Sequence, residues 1–235
     1  MARTIIIIPS YNEQNTLIEL IESINRLNYS IDYLIVNDCS TDDTVNTLKK
    51  AGADYISAPV NLGIGGAVQL GYKYAYENDY DIAIQVDGDG QHDVSYVISM
   101  IECINKNEAD IVIGSRFISC EGFQSSSTRR IGIKILSTLI YIVCRCKIND
   151  VTSGFRAINR NYIRIFSHDY PDDYPEPEVI VSASLNGAVI KEIPVIMRER
   201  TVGKSSISVK KSFYYMIKVS IAIIMCRISL GFRRD

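Results

Sequence analysis

The 235-residue chain is predicted to adopt an α/β fold, with a mostly parallel mixed sheet flanked by helices and a C-terminal helical elaboration. Two observations predict this fold. Strand-like apolar runs alternate with helix-periodic segments over the first 115 residues, and polar clusters stand where the strands should end. A chain of this length buries a sizeable core, so we expect one main domain.

The first strand and helix follow from residue type and spacing. Residues 4–8 are a β-branched run without alternation, as in a strand buried on both faces, and Pro9 ends the run. Apolar residues then recur at helical spacing after a predicted cap at Asn15. They are Leu17, Leu20, Ile21, Ile24 and Leu27.

The same alternation continues along the chain. Strands are expected at residues 33–36, 55–56, 82–86 and 110–114. Helices are expected after residues 40–43, up to about residue 76, and over residues 94–104. Residues 119–130 are polar and rich in serine, which predicts a mobile loop.

The two halves of the chain carry opposite charge. Residues 1–128 hold 7 Lys and Arg against 18 Asp and Glu, whereas residues 129–235 hold 18 against 9. An acidic half suits a metal site, and a basic half suits phosphate groups or an anionic membrane surface. Attraction between the two halves is the alternative, and composition does not decide between them.

Secreted and membrane-spanning classes are disfavoured. The six cysteines form no metal or disulfide pattern, which predicts free thiols in a reducing cytosol, and the apolar run before Pro9 is too short for a secretory signal. No apolar segment reaches the roughly 18 residues that a spanning helix needs. Residues 135–144 and 214–226 are shorter apolar segments with basic neighbours, which suit either a membrane interface or a core helix.

Residues 87–93, DGDGQHD, carry the strongest local signal for chemistry. Asp87 and Asp89 follow an apolar run, and the glycines between them let both carboxylates turn toward one hard cation. Mg²⁺ or Mn²⁺ held by one or two carboxylates keeps positions for phosphate oxygens, which suggests a nucleotide diphosphate ligand. For such a pair taken alone, a solvated Asp/Gly turn is the alternative.

Two further polar clusters, residues 10–13 and 37–40, also stand at presumed strand ends. The carboxyl ends of parallel strands line one crevice, so the three clusters should converge. Residues 61–67 form a glycine-rich loop before a helix, whose amides could face a phosphate. That loop matches neither a P-loop nor the GxGxxG pattern.

Together these segments resemble the family 2 inverting glycosyltransferases, which have a GT-A fold. The matching motifs are IIIIPSYNE (5–13), VNDCSTDDT (36–44), NLGIGGAVQLGY (61–72), QVDGDGQHD (85–93), DVTSGFRAINR (150–160) and RERTVGKSSI (198–207). The resemblance is to the branch of dolichyl-phosphate mannose synthases and polyprenyl-phosphate glycosyltransferases. It implies a catalytic domain over residues 1–210, followed by an amphipathic helix or tail over residues 211–235.

The resemblance also implies roles for matching positions. Mg²⁺ or Mn²⁺ would bind Asp89, with Asp87 as the second ligand. The donor would be held by Pro9, Tyr11, Glu13, Asp38, Gly65, Asp87, Asp89, Gln91 and Arg198. Phosphate groups would be faced by Arg156, Arg198, Arg200 and Lys204, since guanidinium groups bind phosphate bidentately and a lysine supplies a compact charge. Local structural roles are the alternatives for these residues. Glu13 could cap the first helix, Asp38 could belong to an Asx-turn, and Arg198 and Arg200 could alternate on a strand so that only one faces the site.

A hydroxyl acceptor would need a catalytic base, and the resemblance implies that the segment 169–180 lies where family members with hydroxyl acceptors present a catalytic carboxylate. A solvated acidic turn is the alternative for this segment. Glu178 is the first choice and Glu176 the second, while His92 is interpreted as structural. The prolines around Glu176 could stiffen the backbone and hold a carboxylate in place. Because this stiff segment has no clear use with a phosphate acceptor, the sequence slightly favours a hydroxyl acceptor.

The predicted function is a metal-dependent inverting transferase, peripheral at the cytosolic face of the membrane, in cell-surface glycan biosynthesis. It would move a sugar from a UDP- or GDP-sugar to a lipid-linked saccharide or a polyprenyl phosphate. The chain is further expected to associate with a membrane partner protein or with a second copy of itself, and not to bind nucleic acid. The chain has no tryptophan and hence no QxxRW motif, which disfavours processive synthases. A sugar nucleotidyltransferase or an inert GT-A-fold binding subunit are the alternatives.

Overall fold

The computed structural model describes residues 2–122, 124, 126–198 and 209–232. The strands are β1 (Thr4–Ser10), β2 (Asp32–Asn37), β3 (Tyr55–Ser57), β4 (Ile82–Gln85), β5 (Ile111–Ser115), β6 (Arg156–Asn159) and β7 (Ile190–Pro194). The helices are α1 (Leu17–Asn25), α2 (Thr44–Ala51), α3 (Gly63–Glu77), α4 (Val97–Asn105), α5 (Ser127–Cys144), α6 (Arg160–His168), α7 (Pro175–Leu185) and α8 (Val209–Phe232). The predicted alternation of strands and helices is confirmed.

The seven strands form one mixed sheet in the order β3-β2-β1-β4-β6-β5-β7. Strand β6 is antiparallel to both of its neighbours, β4 and β5, whereas the other pairings are parallel. The carboxyl ends of β1, β2 and β4 therefore meet at one edge of the sheet, and the first residue of β6 stands beside the last residue of β4.

Strand β1 lies between two apolar layers, one on each face of the sheet. Ile5 and Ile7 pack into the layer on one face of the sheet, while Ile6 and Ile8 pack into the layer on the other. All four side chains are buried. The unbroken isoleucine run is thus explained by burial on both faces, as predicted.

Several boundaries differ from the predictions. Strand β1 continues through Pro9 to Ser10, although Pro9 is predicted to end it. Helix α1 has Thr16 at its N-cap rather than Asn15, and a 3-10 turn at Val94–Tyr96 precedes α4. The stretch 119–130 was predicted to be loop throughout, but α5 begins at Ser127. The Ser126 side chain accepts a hydrogen bond from the Arg129 N–H, so this serine-rich stretch starts a helix.

Helices α5 and α8 pack against each other and against α7, each through one edge only. Leu136 and Ile140 of α5 and Val219 and Ile223 of α8 are buried. The opposite edges expose a set of large apolar residues, here called the α5–α8 apolar face: Ile131, Ile135, Tyr141, Ile142, Tyr214, Ile217, Ile221, Ile224, Met225 and Ile228. Within the described ranges, no helix is long and apolar enough to cross a membrane.

Candidate functional site

Three strand-end turns meet at the carboxyl edge of the sheet. The Asp38 N–H donates to the Ser10 carbonyl at 2.9 Å, which ties the turn after β2 to the end of β1. The Gly88 N–H donates to the Pro9 carbonyl at 3.3 Å, and the Thr16 hydroxyl donates to the Gly88 carbonyl at 2.6 Å. The predicted convergence of the three polar clusters is confirmed.

The turn after β1 is held by Asn12, which has a left-handed backbone with φ of 58°. Its Oδ1 accepts the Thr41 N–H at 2.8 Å, and its own N–H donates to the Ser40 hydroxyl. Tyr11 beside it is 48% exposed. The Glu13 carbonyl accepts the first amides of α1, so the main chain of Glu13 begins this helix. The donor-binding roles of Pro9, Tyr11 and Glu13 stay predictions.

Asp38 is buried and holds the start of α3. Its Oδ1 accepts the Leu62 N–H at 2.6 Å, and its Oδ2 accepts the Gly63 N–H at 3.0 Å. An acidic side chain suits the positive end of a helix. The glycine loop predicted to face a phosphate therefore has two of its amides bound to Asp38.

Gly65 serves close packing at the same helix end. Its N–H donates to the Asp172 carbonyl at 3.1 Å, and a Cβ on this residue would lie 2.1 Å from the Pro171 carbonyl oxygen. Only glycine allows this approach of the 171–172 backbone to α3. The contact explains Gly65 without a phosphate, and its predicted donor role remains untested.

Asp87 lies at the end of β4 with its side chain 34% exposed. Its Oδ1 accepts from Gln85 Nε2 at 3.0 Å, and its N–H donates to His92 Nδ1 at 3.0 Å. The His92 ring is buried and stacks on Phe155, with Nε2 3.7 Å from Asp87 Oδ2. Because Nδ1 accepts a hydrogen bond, the neutral ring carries its proton on Nε2, toward Asp87. This is a structural position for His92, in agreement with its interpretation from sequence.

Asp89 shapes the rest of this turn. Its Oδ1 accepts the Gln91 N–H at 3.0 Å, and Gly90 follows it with φ of 75°. The Gln91 carbonyl accepts the N–H of Arg198, whose guanidinium lies 3.4 Å from Asp93 and 3.9 Å from Glu19. The predicted phosphate ligand Arg198 is thus paired with carboxylates. The predicted ligands Arg200 and Lys204 lie outside the described residues.

The two carboxylates of this turn fit a hard divalent cation. Mg²⁺ and Mn²⁺ are commonly held by one or two protein carboxylates plus substrate phosphates, and Asp87 and Asp89 supply two. Among the described residues, no group of three or more His, Cys, Asp and Glu side chains could hold a metal by itself. Water or phosphate oxygens would complete the coordination.

Glu176 and Glu178 both lie in the first turn of α7, but their surroundings differ. Burial raises the pKa of Glu176, an increase opposed chiefly by the charge of Arg156, and Asp87 and Arg129 also act on it. Burial is also the largest cause of the raised pKa of Glu178, and the charges of Asp169 and Asp172 raise this pKa further. Asp87 is not among the groups that act on Glu178. Asp87 therefore influences the charge of Glu176 and not that of Glu178. The predicted order of the two candidate bases stays a prediction.

Arg156 is not at the surface of the site. It is 2% exposed, and its Nε donates to the Ser153 carbonyl at 2.8 Å. Its Nη1 and Nη2 are closed to solvent and have no hydrogen-bond partner among the described residues. The predicted contact between Arg156 and a phosphate is therefore not available in this structure.

Two other arginines, Arg116 and Arg129, were not selected as candidate site residues from the sequence. Arg116 and Asp150 form a buried bidentate pair at 2.7 Å, and Arg116 also donates to Thr152, which anchors the loop leading to β6. Arg129 is exposed in the first turn of α5 and has no ion pair within the described ranges. Although the side chain of Arg129 is exposed, neighbouring protein atoms remove part of its hydration, which together with the charge of Arg116 lowers the pKa of Arg129. The sequence signal was Arg129-Arg130, interpreted only as a basic flank.

A family model now identifies the fold and the chemistry. The model for glycosyl transferase family 2 matches residues 5–166, which include the three converging turns and Arg129. The chain belongs to glycosyl transferase family 2. It is a glycosyltransferase, as its motifs predict.

Relatives of the chain are named for lipid phosphate acceptors. The UDP-N-acetylglucosamine–dolichyl-phosphate N-acetylglucosaminyltransferase of Methanococcus voltae is 28% identical over 81% of this chain and 83% of that protein. The polyprenol monophosphomannose synthase of Mycolicibacterium smegmatis is 25% identical over 93% of this chain and 86% of that protein.

Solved structures show the same fold. The glucosyl-3-phosphoglycerate synthase of Mycobacterium tuberculosis in complex with Mn²⁺, UDP and phosphoglyceric acid has a TM-score of 0.72 and 16% identity, covering 96% of this chain and 78% of that chain. The same enzyme with Mn²⁺, UDP-glucose and phosphoglyceric acid also has a TM-score of 0.72. The GT-A fold predicted from the motifs is confirmed.

Proposed function

We propose that the chain is a metal-dependent inverting transferase that moves a sugar from a UDP- or GDP-sugar to a polyprenyl phosphate, in cell-surface glycan biosynthesis. The observation that carries this proposal is the meeting of Asp38, Asp87 and Asp89 at one sheet edge, with Glu176 near Asp87. Acidic turns at this edge suit a metal-bound nucleotide. Glu176 also feels the charge of Arg129 on α5, which forms no ion pair among the described residues.

The donor side of the site would bind the nucleotide between the turns after β1 and β2. Tyr11 offers an exposed ring, and Asp38 fixes the loop that lines the base. Bound at Asp89 and Asp87, the metal would neutralise charge on the departing diphosphate. Gly154 packs near the Asp87 carboxylate, since a Cβ there would lie 3.0 Å from Oδ2, so this carboxylate is held on its protein side.

The acceptor side favours a phosphate over the hydroxyl that the sequence slightly favoured. Arg129 is exposed at the positive end of α5, and it has no carboxylate partner among the described residues. A guanidinium in this position suits an anionic acceptor. A phosphate is already ionised and needs no base, so Glu176 would orient Arg129 rather than remove a proton. The relatives named for dolichyl or polyprenyl acceptors support the same choice.

A hydroxyl acceptor is the second candidate, and Glu176 is the observation that favours it. A partly buried carboxyl with a raised pKa beside Asp87 is what a general base would require. One structural neighbour is a complex that contains phosphoglyceric acid. If Glu176 acts as a general base in this chain, the acceptor would be a saccharide hydroxyl.

A polyprenyl acceptor requires access to a membrane, for which the α5–α8 apolar face provides a surface. Basic residues flank this face: Arg130, Lys134, Arg145, Lys147 and Arg227, all exposed. Apolar side chains bordered by basic ones suit a peripheral position on an anionic bilayer. Co-sedimentation with anionic vesicles should therefore be strong at low salt and weaker at high salt. A protein that stays in the supernatant at low salt would contradict the membrane proposal.

The function is tested by a donor screen with a polyprenyl phosphate acceptor. UDP- and GDP-hexoses are supplied with Mn²⁺, and the glycosylated lipid phosphate is detected by mass spectrometry. One donor class should give product with the wild type and none with Asp89→Ala. Release of pyrophosphate from a nucleoside triphosphate and sugar phosphate would instead identify a nucleotidyltransferase. Failure to bind any nucleotide sugar would identify an inert subunit.

A further inference from the structure

We propose that Gln85 is a positioning residue, whose side-chain amide holds the Asp87 carboxylate in one orientation before a metal ion binds. The inference rests on the proposed function for the role of Asp87 as a metal ligand. Gln85 itself is 1% exposed, so it is closed to both metal and substrate. It acts on the reaction only through Asp87.

Gln85 and Asp87 lie on the same side of the chain that leaves β4. Gln85 is the last residue of the strand, and the hydrogen bonding to β1 continues as far as Gly88, whose N–H donates to the Pro9 carbonyl at 3.3 Å. Side chains two residues apart on an extended chain point to the same face. Gln85 Nε2 accordingly donates to Asp87 Oδ1 at 3.0 Å.

Two further residues close the protein side of Asp87. A Cβ on Gly154 would lie 2.8 Å from Gln85 Nε2, 3.0 Å from Asp87 Oδ2 and 3.2 Å from Asp87 Oδ1, so the Gly154 backbone packs against both side chains. His92 accepts the Asp87 N–H at Nδ1, and its ring stacks on Phe155 at an interplanar angle of 14°. The exposed part of the Asp87 side chain is what remains for a ligand.

The Gln85 amide is satisfied at one end only. An ionised carboxylate accepts hydrogen bonds and donates none, so the amide must turn Nε2 toward Asp87 and Oε1 away from it. Oε1 is buried and has no hydrogen-bond partner among the described residues. A buried acceptor without a partner lowers stability. Folding alone therefore gives no reason for an amide at this position, whereas the contact with Asp87 does.

Fixing a metal ligand in advance changes how tightly the metal binds. Without the Gln85 amide, the Asp87 side chain would have to lose its rotamer freedom when the ion binds. Loss of a residue that orients a metal ligand weakens metal binding by about 10- to 100-fold. Replacing Gln85 by methionine should not lower stability, because it removes a buried acceptor without a partner.

The test compares Gln85→Met with Ser115→Ala as the matched control. Ser115 ends β5, and its buried hydroxyl also has no partner among the described residues. Mn²⁺ affinity of the nucleotide-free protein is measured by electron paramagnetic resonance of the unbound ion, and stability by urea unfolding. Gln85→Met should bind Mn²⁺ about 10- to 100-fold more weakly with an unchanged or higher unfolding midpoint, and Ser115→Ala should stay within about 2-fold of wild type.

Two results would overturn the proposal. A lower unfolding midpoint with unchanged Mn²⁺ affinity would show that Gln85 has only a structural role. A raised substrate KM with unchanged Mn²⁺ affinity of the nucleotide-free protein would show that Gln85 contacts the substrate.

Gly154→Ala tests the same contact with the amide retained. Its Cβ would displace Gln85 Nε2 from Asp87, so this variant should also weaken Mn²⁺ binding. Crystal structures of the metal-free proteins then show the cause. The Asp87 carboxylate should have one orientation in the wild type and a different or mixed orientation in both variants. An unchanged single orientation in Gln85→Met would contradict the proposal. A wild type that binds no Mn²⁺ would count against the proposed metal site, whereas the orientation of Asp87 is determined without metal.

Discussion

The proposed donor and acceptor sides of the site are built in different ways. On the donor side, turns close to β1, β2 and β4 are tied together by main-chain hydrogen bonds such as Asp38 N–H to Ser10 and Gly88 N–H to Pro9. On the proposed acceptor side, charged side chains come from α5, α7 and β6. The proposed donor side is therefore held by main-chain hydrogen bonds between strand-end turns, whereas the proposed acceptor side depends on the packing of side chains from separate elements and on their charge balance.

The largest effect should come from breaking the donor side at the metal. Asp89→Ala should reduce turnover at least about 1000-fold, because a metal with only one or two protein carboxylates loses its main anchor. Asp93→Asn is the matched control in the same turn, and it should retain most activity since Asp93 pairs with Arg198 at the protein surface. Initial rates with saturating Mn²⁺ measure both. Near-normal activity of Asp89→Ala would refute the metal assignment, and chelation should likewise silence the wild type.

The second prediction concerns the loop that leads to β6, which the buried pair of Arg116 and Asp150 anchors. Arg116→Ala should cost about 3–5 kcal/mol of unfolding free energy, because it leaves Asp150 buried without its partner. Arg160→Ala removes an exposed ion pair with Asp79 and should change stability little. Urea denaturation of both variants makes the comparison. Equal small losses would show that the Arg116 pair does not hold this loop.

The meeting of the strand-end turns could be predicted because each turn has a local signal in the sequence. Asp87 and Asp89 follow an apolar strand at a spacing that is visible in the sequence, and parallel strands bring such ends together. The different surroundings of Glu176 and Glu178 could not be predicted in the same way. The prolines before each suggested a stiff loop, but Pro175 opens α7, so residues two apart point to different sides of a helix.

Arg156 and Arg129 show the same limit. The motif SGFR marked Arg156, yet only the pairing of β6 between β4 and β5 shows that it is buried. Arg129 was hidden in a serine-rich stretch interpreted as loop, where Ser126 instead caps a helix. In both cases the missing information was the packing partner, which no single segment contains.

Arg129→Ala should weaken binding of the acceptor without weakening binding of the donor. Loss of a charge-assisted contact to phosphate should raise the acceptor KM about 10- to 100-fold, with donor affinity unchanged. Arg130→Ala is the control one residue along α5, and it should change KM less than about 3-fold. Steady-state kinetics at a fixed donor concentration measure both. A rise in donor Kd of the same size would place Arg129 on the donor side instead.

Glu176→Gln should have a smaller effect, about 10-fold on turnover, if it only orients Arg129, and Glu178→Gln should stay within about 2-fold. Because burial raises the pKa of Glu176, the wild type should lose activity as the pH falls through that raised value, and Glu176→Gln should lack this loss. A cost of about 100-fold or more would instead indicate a general base and a hydroxyl acceptor.

The most direct measurement compares two acceptors that differ only in the phosphate. A short polyprenyl phosphate and the matching free polyprenol are each offered with the accepted nucleotide sugar and Mn²⁺, and initial rates are recorded by mass spectrometry. Transfer should occur to the phosphate, be abolished by chelation and be undetectable with the alcohol. Equal or faster transfer to the free hydroxyl would contradict the account of the acceptor side.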